Sequence, residues 1–141
     1  MSAAFFDTTI IAHAADSAAV DAAKRNAARA LMLTRSITTS TQVVLELYSL
    51  LHDTLAYSAE AASDWVRALQ DDTVVALSPA DCIAAIGLAR QHDISHWQAL
   101  TLVAADKAGL DLVYSEHLSH GQTYGNVRVC NPFIEDFLAR K

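Results

Sequence analysis

Apolar and polar positions form two kinds of pattern along this chain. Short, mostly apolar runs alternate with longer stretches in which apolar residues recur about every 3.6 positions. Runs of about four mostly apolar residues, bounded by polar or turn-forming residues, are typical of buried strands. Four such runs predict strands at residues 3–6, 74–77, 112–115 and 127–130, and a short β-like stretch rich in Thr predicts a fifth at residues 36–39. The 3.6-residue period predicts helices at residues 8–15, after Asp16, at residues 41–56, after Ser58, at residues 79–92 and 95–108, and after Asn131.

Two helix starts are marked by capping residues. Ser78 precedes a proline and is followed by Asp81, so it is expected to cap one helix. Ser95 and Gln98 have the spacing of a capping box for the next. Because strands alternate with helices, we expect one α/β domain over residues 1–141, in which a mostly parallel sheet is covered on both faces.

Composition supports a folded chain. Half of the 141 residues are apolar (52%) and only 18% are charged, which excludes a disordered chain. No apolar run reaches the roughly 20 residues that cross a bilayer, and the N-terminus does not resemble a signal peptide. Cys82 and Cys130 are far apart and are predicted to be free, buried thiols, which fits the cytoplasm.

The net charge of −6 argues against a protein that coats nucleic acid non-specifically. It does not exclude a nuclease, since a divalent cation can offset acidic groups locally. A basic group at Lys24, Arg25, Arg29 and Arg35 is interpreted as a solvated helix face, with RNA contact as the alternative.

Candidate chemistry lies where strands end, because ligands of open α/β sheets bind outside the carboxyl ends of the strands. Asp7 follows the first strand, and Glu116 and His117 follow the strand at residues 112–115. Glu46 falls on the inner side of an apolar helix, where an acid is seldom found without a partner or a metal. Carboxylates suit Mg²⁺ or Mn²⁺. Two alternatives stay open: Asp7 as a simple helix cap, and Glu46 paired with a Lys or Arg.

The histidines give a weaker pattern. His92 and His96 are four residues apart, but the cap at Ser95 interrupts the helix between them. His117 and His120 lie close to Glu116, yet this spacing is a weak indication of zinc without further ligands. One hypothesis is zinc-dependent hydrolysis by His117 and His120. The simpler interpretation is that these residues belong to an ordinary polar loop.

Five motifs in order resemble the PIN domains, and among them the VapC-like toxins of bacterial toxin–antitoxin pairs. They are residues 6–8 (Phe-Asp-Thr), 40–46 (Ser-Thr-Gln-Val-Val-Leu-Glu), 95–100 (Ser-His-Trp-Gln-Ala-Leu), 114–122 (Tyr-Ser-Glu-His-Leu-Ser-His-Gly-Gln) and 131–133 (Asn-Pro-Phe). The resemblance covers nearly the whole chain. It implies a PIN-like three-layer α/β/α domain with a central, mostly parallel sheet.

The resemblance also implies a Mg²⁺- or Mn²⁺-dependent endoribonuclease that is blocked by an antitoxin-like partner and forms a homodimer. Asp7 and Glu46 match two of the family's four metal-site acids. Gln98 and His117 stand where the family has Asp, and Thr9 replaces an Asn that orders the first carboxylate. Because hard cations are held by charge and oxygen ligands, these departures predict a weakened metal site or none.

Two functions follow as expectations. In the first, the chain cleaves RNA. Asp7 and Glu46 hold one metal ion, Glu116 is a further ligand, and Ser115 orients the phosphate. His117 is either another metal ligand or the residue that carries a proton. In the second, the chain is a catalytically silent PIN domain that binds RNA, an antitoxin or another protein.

Overall fold

The computed structural model describes residues 1–18 and 22–134, and these residues form a six-stranded sheet. The strands are β1 (Ala3–Phe6), β2 (Ser36–Ser40), β3 (Thr73–Val75), β4 (Leu112–Tyr114), β5 (Thr123–Tyr124) and β6 (Val127–Cys130). Their order is β3-β2-β1-β4-β6-β5, and every pairing is parallel except that of β5 with β6. The mostly parallel sheet is thus confirmed, and β5 is a strand that the sequence pattern did not predict.

Six α-helices flank the sheet within the described residues, which confirms the predicted three-layer α/β/α architecture. They are α1 (Thr8–Ala15), α2 (Ala22–Thr34), α3 (Thr41–Ser49), α4 (Ala59–Ala68), α5 (Pro79–His92) and α6 (His96–Lys107). The helix predicted at residues 41–56 differs in its second half, where a π-helical turn at Leu50–Thr54 continues α3. A short 3₁₀ turn at Leu69–Asp71 leads from α4 into β3.

The core lies between the central strands and the helices packed against them. Phe5 and Phe6 of β1 and Ile10 and Ile11 of α1 are fully buried, and Phe6 packs edge-on against Tyr114 of β4 at 5.3 Å between ring centroids. Burial of large apolar side chains at the sheet centre fixes the register of β1 against its neighbours.

Both predicted helix caps are present, and each is part of a capping box. Ser78 Oγ accepts from the backbone N–H of Asp81, whose carboxylate accepts from the N–H of Ser78 at 2.8 Å. Ser95 and Gln98 make the same reciprocal pair at the start of α6. Asp16 follows α1, and its carboxylate accepts from the N–H of residue 18 at 2.9 Å.

The basic group predicted as a solvated face is largely engaged within the protein. Arg29 Nε donates to the carbonyl of Ala14 at 2.8 Å, and Arg25 donates to the carbonyl of Ala18 at 3.1 Å. Lys24 forms an ion pair with Glu116 at 3.1 Å. These cations stabilise the end of α1 and the loop after β4, which weakens the alternative of RNA contact.

Three further expectations concern the ends of elements and the thiols. Cys130 is buried and free as predicted, but Cys82 is exposed at the start of α5, so the prediction of two buried thiols is wrong for it. The last helix, predicted after Asn131, lies mostly outside the described residues; of its first residues, Phe133 packs against the core and Ile134 is 64% exposed. None of the helices in residues 1–18 and 22–134 is long and apolar enough to cross a membrane.

The pairing of β1 with β4 sets the position of the site. Phe6 and Tyr114 are partners in the parallel register, and the N–H of Asp7 donates to the carbonyl of Tyr114 at 3.0 Å. The residues that follow the two strands, Asp7 and Ser115, therefore lie side by side at the carboxyl edge of the sheet.

Candidate active site

Asp7 lies at the floor of a cleft at the carboxyl edge of the sheet. It is the N-cap of α1, and its Oδ1 accepts from the N–H of Thr8 at 2.8 Å. Its Oδ2 accepts from the hydroxyl of Ser115 at 2.8 Å. The helix-cap alternative is thus observed, and the same carboxylate also lines the cleft.

Ser115 has a hydroxyl group that is fully committed inside the protein. Its side chain is fully buried, and its oxygen accepts from the N–H groups of His117 at 3.2 Å and Leu118 at 3.3 Å. Because both acceptor positions are taken, the hydroxyl proton is directed to Asp7. The prediction that Ser115 orients a phosphate is therefore corrected: it orients the carboxylate of Asp7.

Glu46 faces the same cleft from α3. Its Oε1 accepts from the Thr8 hydroxyl at 2.9 Å, so Thr8 links the two acids through its N–H and its side chain. Glu46 is exposed, which corrects the prediction that it lies on the inner side of its helix. Within the described part of the chain it makes no ion pair with a Lys or Arg, so the alternative of simple charge pairing is not observed.

The electrostatics of this floor disfavour a second negative charge. Burial raises the pKa of the Asp7 carboxyl above its ordinary value, and the nearby charge of Glu46 adds to the rise. The hydrogen bonds from Ser115 and Thr8, with the proximity of His117, lower the pKa only in part. A group that is costly to ionise in this way gains most from a nearby cation.

Gln98 stands at the edge of the cleft with its amide group already in use. Its Oε1 accepts from the N–H of Ser95 at 3.1 Å in the capping box, and its Nε2 donates to the carbonyl of His117 at 3.3 Å. The side chain thus joins α6 to the loop after β4. Its role is structural, as expected for a capping glutamine.

His117 and Glu116 point to different sides of the loop after β4. The side chain of His117 is exposed and lines the cleft. Glu116 instead pairs with His13 Nε2 at 2.7 Å and Lys24 Nζ at 3.1 Å. Burial pushes the pKa of Glu116 up, but the hydrogen bonds from His13 and Lys24 outweigh it and hold that pKa below its ordinary value. The prediction of Glu116 as a metal ligand is therefore corrected, because both of its oxygens are engaged away from the cleft.

The remaining histidines do not assemble a metal site. His120 Nδ1 accepts from the N–H of Asn131 at 2.9 Å, which fastens the loop to the end of β6. The ring of His92 packs edge-on against Tyr124 at 5.1 Å. In residues 1–18 and 22–134, no group of three or more His, Cys, Asp or Glu is arranged to hold a metal ion.

The cleft has a volume of about 980 Å³ and two unlike regions. The floor carries Asp7 and Glu46, while Leu45, Leu77 and Trp97 contribute apolar surface. Sequence reasoning did not single out Trp97 as a site residue, nor Asp53 of the π-helical turn, and both line the cleft. Trp97 was noted only as part of the motif at residues 95–100. The apolar spacing of residues 41–56 gave no indication of the π-helical turn that carries Asp53.

Fold and site together define a class: an α/β domain with paired carboxylates at the carboxyl edge of a parallel sheet. VapC20 of Mycobacterium tuberculosis, described as a sarcin–ricin loop cleaving toxin, is similar over 80% of this chain and 88% of its own, with 23% identity and a TM-score of 0.67. A toxin–antitoxin complex from Klebsiella pneumoniae matches 92% of this chain and 98% of that chain, with 16% identity and a TM-score of 0.68. VapBC2 of Rickettsia felis, bound to a DNA fragment from its promoter, matches 89% and 95%, with 13% identity and a TM-score of 0.60.

These similarities show that the chain has the PIN-domain fold found in VapC toxins. No protein-family model matches the chain, and no curated protein does either.

Proposed function

We propose that this protein is a VapC-like, metal-dependent endoribonuclease with a weak site built on two carboxylates. The observation that carries the proposal is the linkage of Asp7 and Glu46 through Thr8 at the floor of an open cleft. The shared fold with a toxin that cleaves the sarcin–ricin loop supports RNA as the substrate class. The cytoplasm, where RNA is accessible, is the proposed location.

The donor set suits one hard cation. Asp7 and Glu46 offer carboxylate oxygens, and each has only one or two of its acceptor positions used by protein donors. Oxygen ligands of this kind select Mg²⁺ or Mn²⁺ over softer metals. Two acids are few for tight binding, because Gln98 and Glu116 are committed to other contacts.

The chain's own residues would prepare the reaction in three ways. Ser115 and Thr8 hold the Asp7 carboxylate in one orientation, so no reorganisation is needed when substrate arrives. Asp7 and Glu46 would hold the cation, which when bound supplies charge neutralisation at the phosphate and activation of water. The exposed imidazole of His117, at the same cleft, is placed to carry a proton to or from the reacting oxygens.

Calorimetric titration of metal-stripped protein with Mn²⁺ and Mg²⁺ tests the site. We expect weak, saturable binding that Asp7→Ala abolishes, together with Mn²⁺-dependent cleavage of an RNA containing the sarcin–ricin loop. Asp53→Ala is the matched control, since it removes an exposed carboxylate that lines the same cleft. Equal cleavage by wild type and Asp7→Ala would identify a contaminating nuclease and overturn the proposal.

The second candidate function is a silent PIN domain that works by binding. It is favoured by Gln98, whose amide serves the capping box and the loop rather than a cation. The toxin–antitoxin complexes with the same fold support an antitoxin-like protein as the partner and leave a homodimer as a proposal. Absence of Mn²⁺ binding by the wild-type chain would favour this candidate over the nuclease.

A further inference from the structure

Trp97 is an exposed aromatic side chain at the mouth of the cleft. It is 59% exposed, although it lies on the first turn of α6 directly beside Gln98. The reciprocal bonds between Ser95 and Gln98 fix this turn, and Gln98 also joins it to the carbonyl of His117. The ring of His96 lies at 5.0 Å, tilted by 50°. The backbone that carries Trp97 is therefore fixed at the start of a helix, and much of the indole surface is exposed.

The described lining of the cleft offers no Lys or Arg side chain to a polyanion, and its one imidazole is that of His117. Among the described residues that line it, none is Lys or Arg, whereas Asp7, Glu46 and Asp53 are acidic. Proteins that bind nucleic acid usually gain most of their affinity from Lys and Arg contacts with phosphates. An RNA in this cleft would have to be held by other means, and the general alternative is stacking of bases on aromatic rings.

We propose that Trp97 is a stacking platform for an unpaired base of the RNA that enters the cleft; this rests on the proposed nuclease function. Trp97 lines the same cleft as Asp7 and Glu46. A base stacked on Trp97 would therefore lie in the same cavity as the phosphate that is cleaved. The volume of about 980 Å³ lies at the upper end of the range for ligand pockets and leaves room for more than the base alone.

The substrate class follows from this geometry. A base can stack on Trp97 only if it is not stacked in a duplex, so the cleft selects single-stranded RNA or a loop with an unstacked base. Because no Lys or Arg of the described lining contacts phosphate, binding should depend only weakly on salt. Purines should bind more tightly than pyrimidines, since their larger rings cover more of the indole.

Tryptophan fluorescence gives a direct test, because the chain contains two tryptophans. In a Trp65→Phe background, Trp97 is the single emitter. We expect short oligoadenylate RNA to quench it saturably, and the same sequence in a duplex to leave it unchanged. Trp97→Leu should weaken binding by roughly fivefold to a hundredfold, measured by anisotropy of labelled RNA, whereas Trp97→Phe should retain most of it.

The control is Ile83→Ala, which removes a side chain that is 71% exposed on α5 and does not line the cleft. Unchanged RNA affinity in Trp97→Leu, or no RNA binding by any variant, would overturn the inference. Quenching of Trp97 fluorescence by a short peptide of leucine and arginine, but not by RNA, would also overturn the inference, because Trp97 would then contact a protein partner. Mn²⁺-dependent cleavage in the same samples tests the proposed function separately. RNA binding that depends on Trp97, without cleavage, would support stacking and overturn the nuclease function. Cleavage that does not depend on Trp97 would support the nuclease function and overturn stacking.

Discussion

Substitution of Ser115 by alanine probes the network that orients Asp7. The buried hydroxyl makes three hydrogen bonds, one donated to Asp7 and two accepted from the N–H groups of His117 and Leu118. Alanine fits the space but removes all three. The variant therefore isolates the hydrogen bonds from the packing, since only one oxygen atom is lost.

The magnitude follows from the two most buried contacts. Loss of a hydrogen bond to a carboxylate costs about 1.5–3 kcal/mol, and a buried N–H left without a partner costs about 1–3 kcal/mol. Leu118 is buried, so water cannot easily replace the lost acceptor there, whereas the N–H of His117 is only partly buried. We expect Ser115→Ala to lower the free energy of unfolding by about 3 kcal/mol, or Tm by roughly 10 °C.

Urea denaturation followed by circular dichroism measures this change, with Ser49→Ala as the matched control. Ser49 is an exposed residue at the end of α3 that lines the same cleft, so its loss should change stability by less than about 0.5 kcal/mol. A double-mutant cycle with Asp7→Asn gives the coupling energy between the two side chains. The effects should be clearly non-additive, because one hydrogen bond joins them.

A loss below about 1 kcal/mol, with additive effects in the cycle, would refute the reasoning. It would mean that water or a rearranged loop satisfies the N–H of Leu118. In that case Asp7 would not be held by Ser115, and the fixed orientation of the carboxylate would have to come from Thr8 alone.

Three further predictions test the rest of the site. The double variant Gln98→Asp with His117→Asp should raise Mn²⁺ affinity at least about tenfold by calorimetry, because it adds two hard, charged ligands. An Asp at position 98 can still close the capping box, as Asp81 does in α5. Unchanged affinity would contradict the idea that the site is weak only because it lacks these two acids. Glu116→Gln should destabilise the fold by about 1–2 kcal/mol in urea but leave Mn²⁺ affinity unchanged, because Glu116 serves an ion pair and not the cleft. Asp81→Asn should remove part of the acid sensitivity of Tm: the Lys107 and Ser78 hydrogen bonds lower the pKa of Asp81 to about 2, so its stabilisation is present above the ordinary pKa of 3.8 and is lost as pH falls towards 2.

The elements with strong local patterns were predictable from the sequence. Two capping boxes, at Ser78 and Ser95, mark helix starts by side-chain chemistry that acts over three residues and needs no tertiary context. Asp7 was found because the residue after a buried strand of a parallel sheet lies at the ligand-binding edge. The architecture followed from the alternation of these elements.

The direction of side chains in the loop after β4 was not predictable. Ser115, Glu116 and His117 are consecutive, and whether each points into the core, to α1 and α2, or to the cleft depends on contacts with distant parts of the chain. Glu116 is drawn away by His13 and Lys24, which are about a hundred residues earlier. The exposure of Glu46 was misjudged for the same reason, since an apolar helix face does not reveal where a cleft opens beside it.

The hydrogen bond between Asp7 and Ser115 joins residues 108 positions apart, and this has a consequence during synthesis. A ribosome produces Asp7 and Glu46 well before it produces β4 and Ser115. Until then β1 lacks one of its two neighbouring strands, and the carboxylate of Asp7 lacks its donor from Ser115. A nascent chain that has not yet reached β4 thus carries both acids without their final arrangement, so the acidic floor is completed only after β4 and Ser115 have been made.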